Sequence, residues 1–398
     1  MLDRAFRCAA LAAAALFVTV LAPAPARAVD PYDIYTIVSL TGPFSFLGTN
    51  EAASVRLIEK IVNKQGGING TPVRMIIQDD ASNPQVAVQL ANAIVAKSPA
   101  VMLGPTYVAS CLAVAPLVRA NGPVQYCFAP TIHPPAGSFT FSGGSSSYDQ
   151  AIESLVFIAA KGWKRLAMIT TTDATGVDIE AQFTAALASG RFPQLSLLDK
   201  EHFSNGDVSV AAQLAKIAAL KPDCILMATV GTSTGTVLRG LRDAAMDNIP
   251  VMTNLGNVIH VQIDQYLSIL PRDIYFTAPR FIARDISRAG PVRDAQLVFY
   301  NAYKAEGIDP DVGNNFSWDP AWILIDALRH LGTKATARQV LDYMEHLHGY
   351  AGTDGIYDYR GGDQRGIGLS SLVISKWDAA KKTWVTVSEP GGKPLPGR

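Results

Sequence analysis

Two doubly wound α/β lobes joined by crossing hinge segments are the fold that three observations on this sequence predict. Apolar strand-like runs alternate with stretches of helical periodicity from Asp33 to Pro279. A Ser/Gly-rich patch, SGGSSS at 142–147, interrupts the alternation, which then restarts. The last third departs from it, with a mostly helical block at 291–348 followed by late strands. Alternation of this kind argues for parallel sheets covered on both faces. Two series divided by a junction predict an N-terminal lobe over 29–145 plus 279–348 and a C-terminal lobe over 146–278 plus 349–390. Chain returning from one lobe to complete the other makes several crossings, which favours hinge closure over independent drift.

The elements follow in order. DIYTIVSL reads as a strand, and a Gly-Pro turn with two phenylalanines leads to a helix over 51–65. VRMIIQDD precedes a helix over 84–97, with Asn83 as its cap. AVMLGP precedes the helical SCLAVAPLVRANG, and PVQYCFAP closes the first group. The second group runs from a helix ending at Gly162 through KRLAMITT, a helix over 177–189 and LSLLDKEHF. A helix over 208–220, DCILMATV, a helix over 235–246, IPVMTN and DIYFTAP complete it. Helices in DPAWILIDALRHLG and TARQVLDYMEHLH come next, and the stretch from GIYDYR to WVTV reads as a short β-meander.

Arg4 and Arg7, the apolar run CAALAAAALFVTVLA and Ala26-Arg27-Ala28 have the layout of a secretory leader with cleavage after Ala28, so the expected location is the periplasm. Without these residues the balance of 34 basic and 34 acidic side chains turns slightly acidic, and no basic stripe suggests nucleic acid. Length favours two domains. Cys111, Cys127 and Cys224 remain. In an oxidising compartment Cys111 and Cys127 are a candidate disulfide, because a helix N-terminus can lie near the end of a neighbouring strand. Cys224 opens an apolar run and reads as a buried small hydrophobe. No zinc spacing and no G-x-x-x-x-G-K-[ST] occurs, so no metal and no cofactor is expected.

In open α/β sheets ligands sit beyond the carboxyl ends of the strands, where helix N-termini present unpaired N–H groups to an anion. The first such loop is 41–48, where Phe44, Phe46 and Leu47 supply apolar surface. Its equivalents are GPTYVAS (104–110), APTIHP (129–134), TTDATG (171–176), TVGTSTG (229–235) and TNLGN (253–257). None is basic. Such loops close over something small, neutral or singly anionic, and partly apolar. Asp79/Asp80 and Asp363/Arg365 read as solvated turn residues, and His346 and His348 are two apart, a poor spacing for a metal on a helix.

SLTGPFSFLG, INGTPVRMIIQDDASNPQVAVQLA, VMLGPTYVAS, YCFAPTIHP, FSWDPAWILIDALRHLG and GIYDYRGGDQRGIG, in this order over more than 300 residues, resemble the type I periplasmic solute-binding proteins of ABC importers, the leucine/isoleucine/valine-binding family. The resemblance implies a monomeric receptor that delivers a small carboxylate to a membrane permease. It implies a carboxylate held at Val108 with Tyr107, Ala109 and Ser110, and at Thr131 and His133. It implies second-lobe closure by 173–176, with Thr175, and by Thr232 and Asn254. Two features depart from amino-acid receptors. Thr175 stands where they carry tyrosine, and 229–235 and 253–257 hold no acid for an α-ammonium group. A buried ammonium without a counter-charge is costly, so the expected ligand is an aromatic or aliphatic acid lacking an amine. The rival classes are a branched-chain amino acid receptor and a serine hydrolase. For the latter, Gly231-Thr232-Ser233-Thr234-Gly235 matches G-x-S-x-G, with Asp264 and His330 following in order.

Overall fold

A computed structural model of the protein describes residues 29–397; the leader reading at 1–28 lies outside the described residues. The first sheet holds β1 (Tyr32–Val38), β2 (Val73–Asp79), β3 (Val101–Leu103), β4 (Val124–Cys127) and β5 (Thr140–Ser142). They are parallel and lie in the order β2-β1-β3-β4-β5. Its first helices are α1 (Ser45–Lys64), α2 (Pro84–Val95) and α3 (Val108–Val118). The Asn83 side chain accepts from the Gln85 and Val86 N–H groups and caps α2, with Pro84 at a position where its missing N–H is not needed. β3 and β4 are buried throughout, which is why they read as unbroken apolar runs.

The second sheet is built from β6 (Arg165–Thr171), β7 (Ser196–Phe203), β8 (Cys224–Ala228), β9 (Val251–Thr253) and β10 (Ile274–Pro279). Between them run α5 (Ala174–Ala188), α6 (Ala211–Ala219), α7 (Thr232–Asp243) and the short α8 (His260–Tyr266), after α4 (Ser147–Ala160) has led into the sheet. After β10 come α9 (Pro291–Ala305), α10 (Val312–Leu331) and α11 (Ala337–His346). α10 packs on α1 and α11 on β4, so this late block returns to the first sheet.

Two expectations change. The C-terminal strands are not one meander: β11 (His348–Ala351) and β12 (Ile356–Asp358) pair only with each other, whereas β13 (Leu372–Asp378) runs antiparallel to β10 and carries β14 (Thr383–Thr386). Period-2 patterning states that strands exist and not which edge accepts them. α1 also begins six residues before its apolar periodicity does, because Gly48 lets its first turn sit on the end of β1. A Cβ at Gly48 would lie 2.1 Å from the Ser39 carbonyl oxygen, and one at Gly176 would lie 2.0 Å from that of Thr171 at the matching place in the second sheet.

The crossing segments are tied to one another. Arg365 is buried, and its guanidinium donates to Ser142 Oγ (2.8 Å), the Gly144 carbonyl (2.9 Å) and the Ile132 carbonyl (2.7 Å). The solvated-turn reading of Arg365 is thereby corrected: it satisfies carbonyls that no ladder reaches. Ser145 and Ser371 share a hydroxyl bond of 2.5 Å, and the Phe281 N–H donates to Asp354.

Candidate functional site

The turn after β1 is fixed by two carboxylates. Asp79 accepts from the Leu40 and Ala81 N–H groups, both at 2.8 Å, and from the Thr41 hydroxyl, also at 2.8 Å. Asp80, fully buried, accepts from the Ser39 hydroxyl (2.7 Å) and the Ser82 N–H (2.9 Å). This pair too is corrected from solvated turn to loop scaffold, since N–H groups beyond a strand end need acceptors. The scaffold sets Phe44 and Leu47 at the mouth between the sheets, where Phe44 stacks on Tyr107 with ring centroids 4.2 Å apart.

Tyr107 precedes α3 and makes no side-chain cap. The first bond of that helix is Cys111 N–H to the Tyr107 carbonyl (2.9 Å), so the N–H groups of Val108, Ala109 and Ser110 have no partner within the helix. A Cys111–Cys127 disulfide, Cα–Cα 6.1 Å, fastens this end of α3 to β4. The chain past β4 then brings Thr131 to the same place. Ser110 Oγ and Thr131 Oγ1 are both buried without a hydrogen-bond partner. Open helix N–H groups beside the unpartnered Thr131 hydroxyl form donors suited to an anionic oxygen.

The second sheet supplies the facing wall. Asp173 caps α5 by accepting from the Gly176 N–H (3.0 Å), which presents Thr175 and, one turn on, Ile179 to the gap. Val230 after β8 and Asn254, Leu255 and Gly256 after β9 add to it. Gly231 approaches the first half closely: with φ +75°, a Cβ there would stand 2.4 Å from the Pro43 carbonyl oxygen. Gln150 from α4 and Phe316 from α10 also line the cleft. Its lining contains aromatic and aliphatic groups, hydroxyls and amides, and no charged side chain.

Of the residues expected from sequence, Phe44, Leu47, Tyr107, Val108, Thr131, Thr175 and Asn254 line this cleft, and Phe46, Ala109, Ser110, His133 and Thr232 do not. His133 is half exposed and its Nε2 lies 2.7 Å from Asp178 Oδ1 on α5, so it ties the two halves together beside the cleft. Thr232 is exposed at the start of α7. Asn254 contributes surface only, because its amide donates to the Thr229 carbonyl (2.8 Å) and accepts from the Gly256 N–H (3.1 Å). Thr106, Phe128, Ala129, Pro130, Gln150, Ile179 and Phe316 were not singled out. Ile179 was accessible as the residue four on from Thr175 along a helix, whereas nothing local marks Phe316, which reaches the cleft from the returning block.

The hydrolase constellation is not assembled. Ser233 is buried and its hydroxyl donates to the Val230 carbonyl (3.0 Å), while His330 packs on Tyr343 of α11 against the first sheet. Among the described residues no His/Cys/Asp/Glu group can hold a metal ion, and no helix is long and apolar enough to cross a membrane.

A family model described as periplasmic binding protein matches residues 32–382. The Leu/Ile/Val-binding protein BraC3 of Rhizobium johnstonii is 26% identical over 237 residues, 58% of this chain and 63% of that protein. The match thus spans less than two thirds of that relative's length. An extracellular ligand-binding receptor from Rhodopseudomonas palustris HaA2 superposes with a TM-score of 0.80 at 19% identity, over 90% of this chain and all of that one. A solute-binding protein of an R. palustris ABC transporter, solved in complex with benzoate, superposes with a TM-score of 0.75 at 18% identity, over 92% of this chain and 97% of that one.

Proposed function

Because the chain belongs to the periplasmic binding protein family, in the type I group that includes the Leu/Ile/Val-binding proteins, we propose that it captures a small organic carboxylate without an amine by closure of its two halves. In this reading the halves divide where the chain crosses, near 145, near 279 and, later than the expected 348, between β12 and β13, since Tyr359 after β12 bonds Tyr126 of β4. The protein works as a monomer in the periplasm, reached through the leader, and hands its ligand to an ABC permease.

The observation that carries the reading is the polarity of the cleft. It offers unsatisfied donors at the start of α3 and at the Thr131 hydroxyl, and its lining holds no charged side chain. A carboxylate gains there from the N–H groups and the helix end. An α-ammonium group would meet no free acid. Asp173, at the cleft's edge, already accepts from Thr171 Oγ1, Asn205 Nδ2 and the Gly176 N–H. The benzoate bound by the R. palustris structure is an acid of the proposed class.

Calorimetry with benzoate and with leucine tests the reading. Binding of benzoate-type acids with no response to leucine is expected; tight leucine binding and silence towards the acids overturns it. That second outcome is the branched-chain amino acid reading, which the names of the curated relatives favour.

A further inference from the structure

Gln150, in the first turn of α4, lines the cleft from the side of the second sheet and is only 4% exposed. Its Nε2 donates to the Ser145 carbonyl at 3.2 Å, which settles which end of the amide the chain uses. Among the described residues no group donates to its Oε1, and that oxygen is open to the cleft, not sealed within protein. Thr175, in the first turn of α5, belongs to the same wall, is 6% exposed, and its hydroxyl has no hydrogen-bond partner among the described residues.

The neighbouring polar groups are engaged. Asn254 uses both ends of its amide, on the Thr229 carbonyl and the Gly256 N–H. The Thr106 hydroxyl accepts from the Ser39 N–H and donates to Glu51. The open polar groups of the cleft are therefore of opposite kinds on its two sides. The first half offers donors, at the start of α3 and at Thr131. The second half offers an amide oxygen, which can only accept. A buried acceptor without a donor loses its water and regains nothing, so a molecule that brings a donor to it gains selectively. That donor is neutral, because the amide carries no charge to offset an ammonium group. A hydroxyl fits.

We propose that the ligand is a hydroxylated acid, whose carboxylate meets the start of α3 and whose hydroxyl, carried away from the carboxylate, donates to Gln150 Oε1. The proposal rests on the carboxylate-receptor reading above and narrows its ligand class. It makes Gln150 a specificity-determining residue, on a wall where Thr175 is the second open polar group.

Calorimetric titration of the purified protein with benzoate, 3- and 4-hydroxybenzoate, and 3- and 4-methylbenzoate tests it. Methyl and hydroxyl groups are close in size, so each hydroxy-to-methyl affinity ratio isolates the hydrogen bond from the fit. For the wild type at least one of the two ratios is expected to be about ten or more, since the methyl compound leaves the acceptor unpaired. Gln150→Leu and Gln150→Met, which replace the amide by apolar groups, are expected to bring that ratio to about one or to invert it. Both affinities in a ratio come from one preparation, so a merely structural role for Gln150 would weaken both acids and leave the ratio where it was. A variant that does not fold leaves the other variant and the wild-type ratios to decide. Wild-type ratios of about one or below at both ring positions, or a hydroxyl preference kept when the amide is gone, overturn the assignment to Gln150; benzoate binding in the same series leaves the receptor reading intact. Silence towards every acid in the series overturns the receptor reading and this proposal with it.

Discussion

Ser110 and Thr131 carry hydroxyls that the folded chain buries without a hydrogen-bond partner. Thr131→Val keeps the shape and removes the donor. A hydrogen bond to a charged group contributes about 1.5–3 kcal/mol, so affinity for the bound acid is expected to fall by tenfold or more with the thermal midpoint of the ligand-free protein unchanged or raised. Equal affinity of variant and wild type by calorimetry would remove Thr131 from the carboxylate contact. His133 belongs to a different test. Its pair with Asp178 spans the halves but is half exposed, and exposed pairs are worth little and are screened by salt. His133→Gln is therefore expected to weaken binding by only a few-fold at low salt, the difference vanishing near 0.5 M. A large, salt-independent loss would mean that the imidazole touches the ligand. At this scale sequence placed Tyr107, Val108, Thr131 and Thr175 at strand ends or helix starts, where ligands gather. It could not place Gln150 or Phe316, which reach the cleft only because α4 and α10 are packed where they are.

The elements bring these side chains together through close backbone approaches. Gly231, at the start of α7, touches Pro43 of the opposite half and has φ +75° with ψ −141°, a region costing a residue with a Cβ about 1–3 kcal/mol. Gly231→Ala is expected to lower the thermal midpoint modestly and to reduce ligand affinity by more than tenfold, because the Cβ pushes the halves apart. Solution scattering with saturating ligand reads this as a larger radius of gyration for the variant; identical radii would show that closure tolerates the methyl group. The existence of most elements was legible from alternation and from punctuation such as Asn83-Pro84. Three features escaped. α8 is two turns long, too short for a helical period to declare itself. β5 is three residues long beside a Ser/Gly patch. The partners of β11 to β14 depend on which sheet edge is free, and that is a property of the assembled chain.

The whole molecule carries buried acids whose protons depend on the fold. Burial pushes Glu51 from its ordinary 4.5 to about 8, against the lowering by its bond with Thr106. It pushes Asp311 from 3.8 to about 7 and raises Asp319 as well. Each acid keeps its proton in the folded chain at pH values where the unfolded chain has released it. Stability from these groups is full below the unfolded values and is lost as pH rises through the folded ones. The thermal midpoint is therefore expected to fall steadily from pH 5 to pH 8, and Glu51→Gln to flatten the profile above pH 6. A wild-type midpoint that rises over this range would contradict the assignment.

By itself the sequence determined that two α/β halves form, where their strands end, and that the loops at those ends are not basic. Period, turn residues and side-chain chemistry are local quantities and survive in a linear string. Only the tertiary structure decided that Arg365 is a buried tie between crossings, that His133 faces Asp178 and not the cleft, and that Phe316 reaches the cleft from the returning block. Each of these depends on the distance between residues far apart in the chain, and that distance is fixed when helices and sheets pack, not by any run of residues within them.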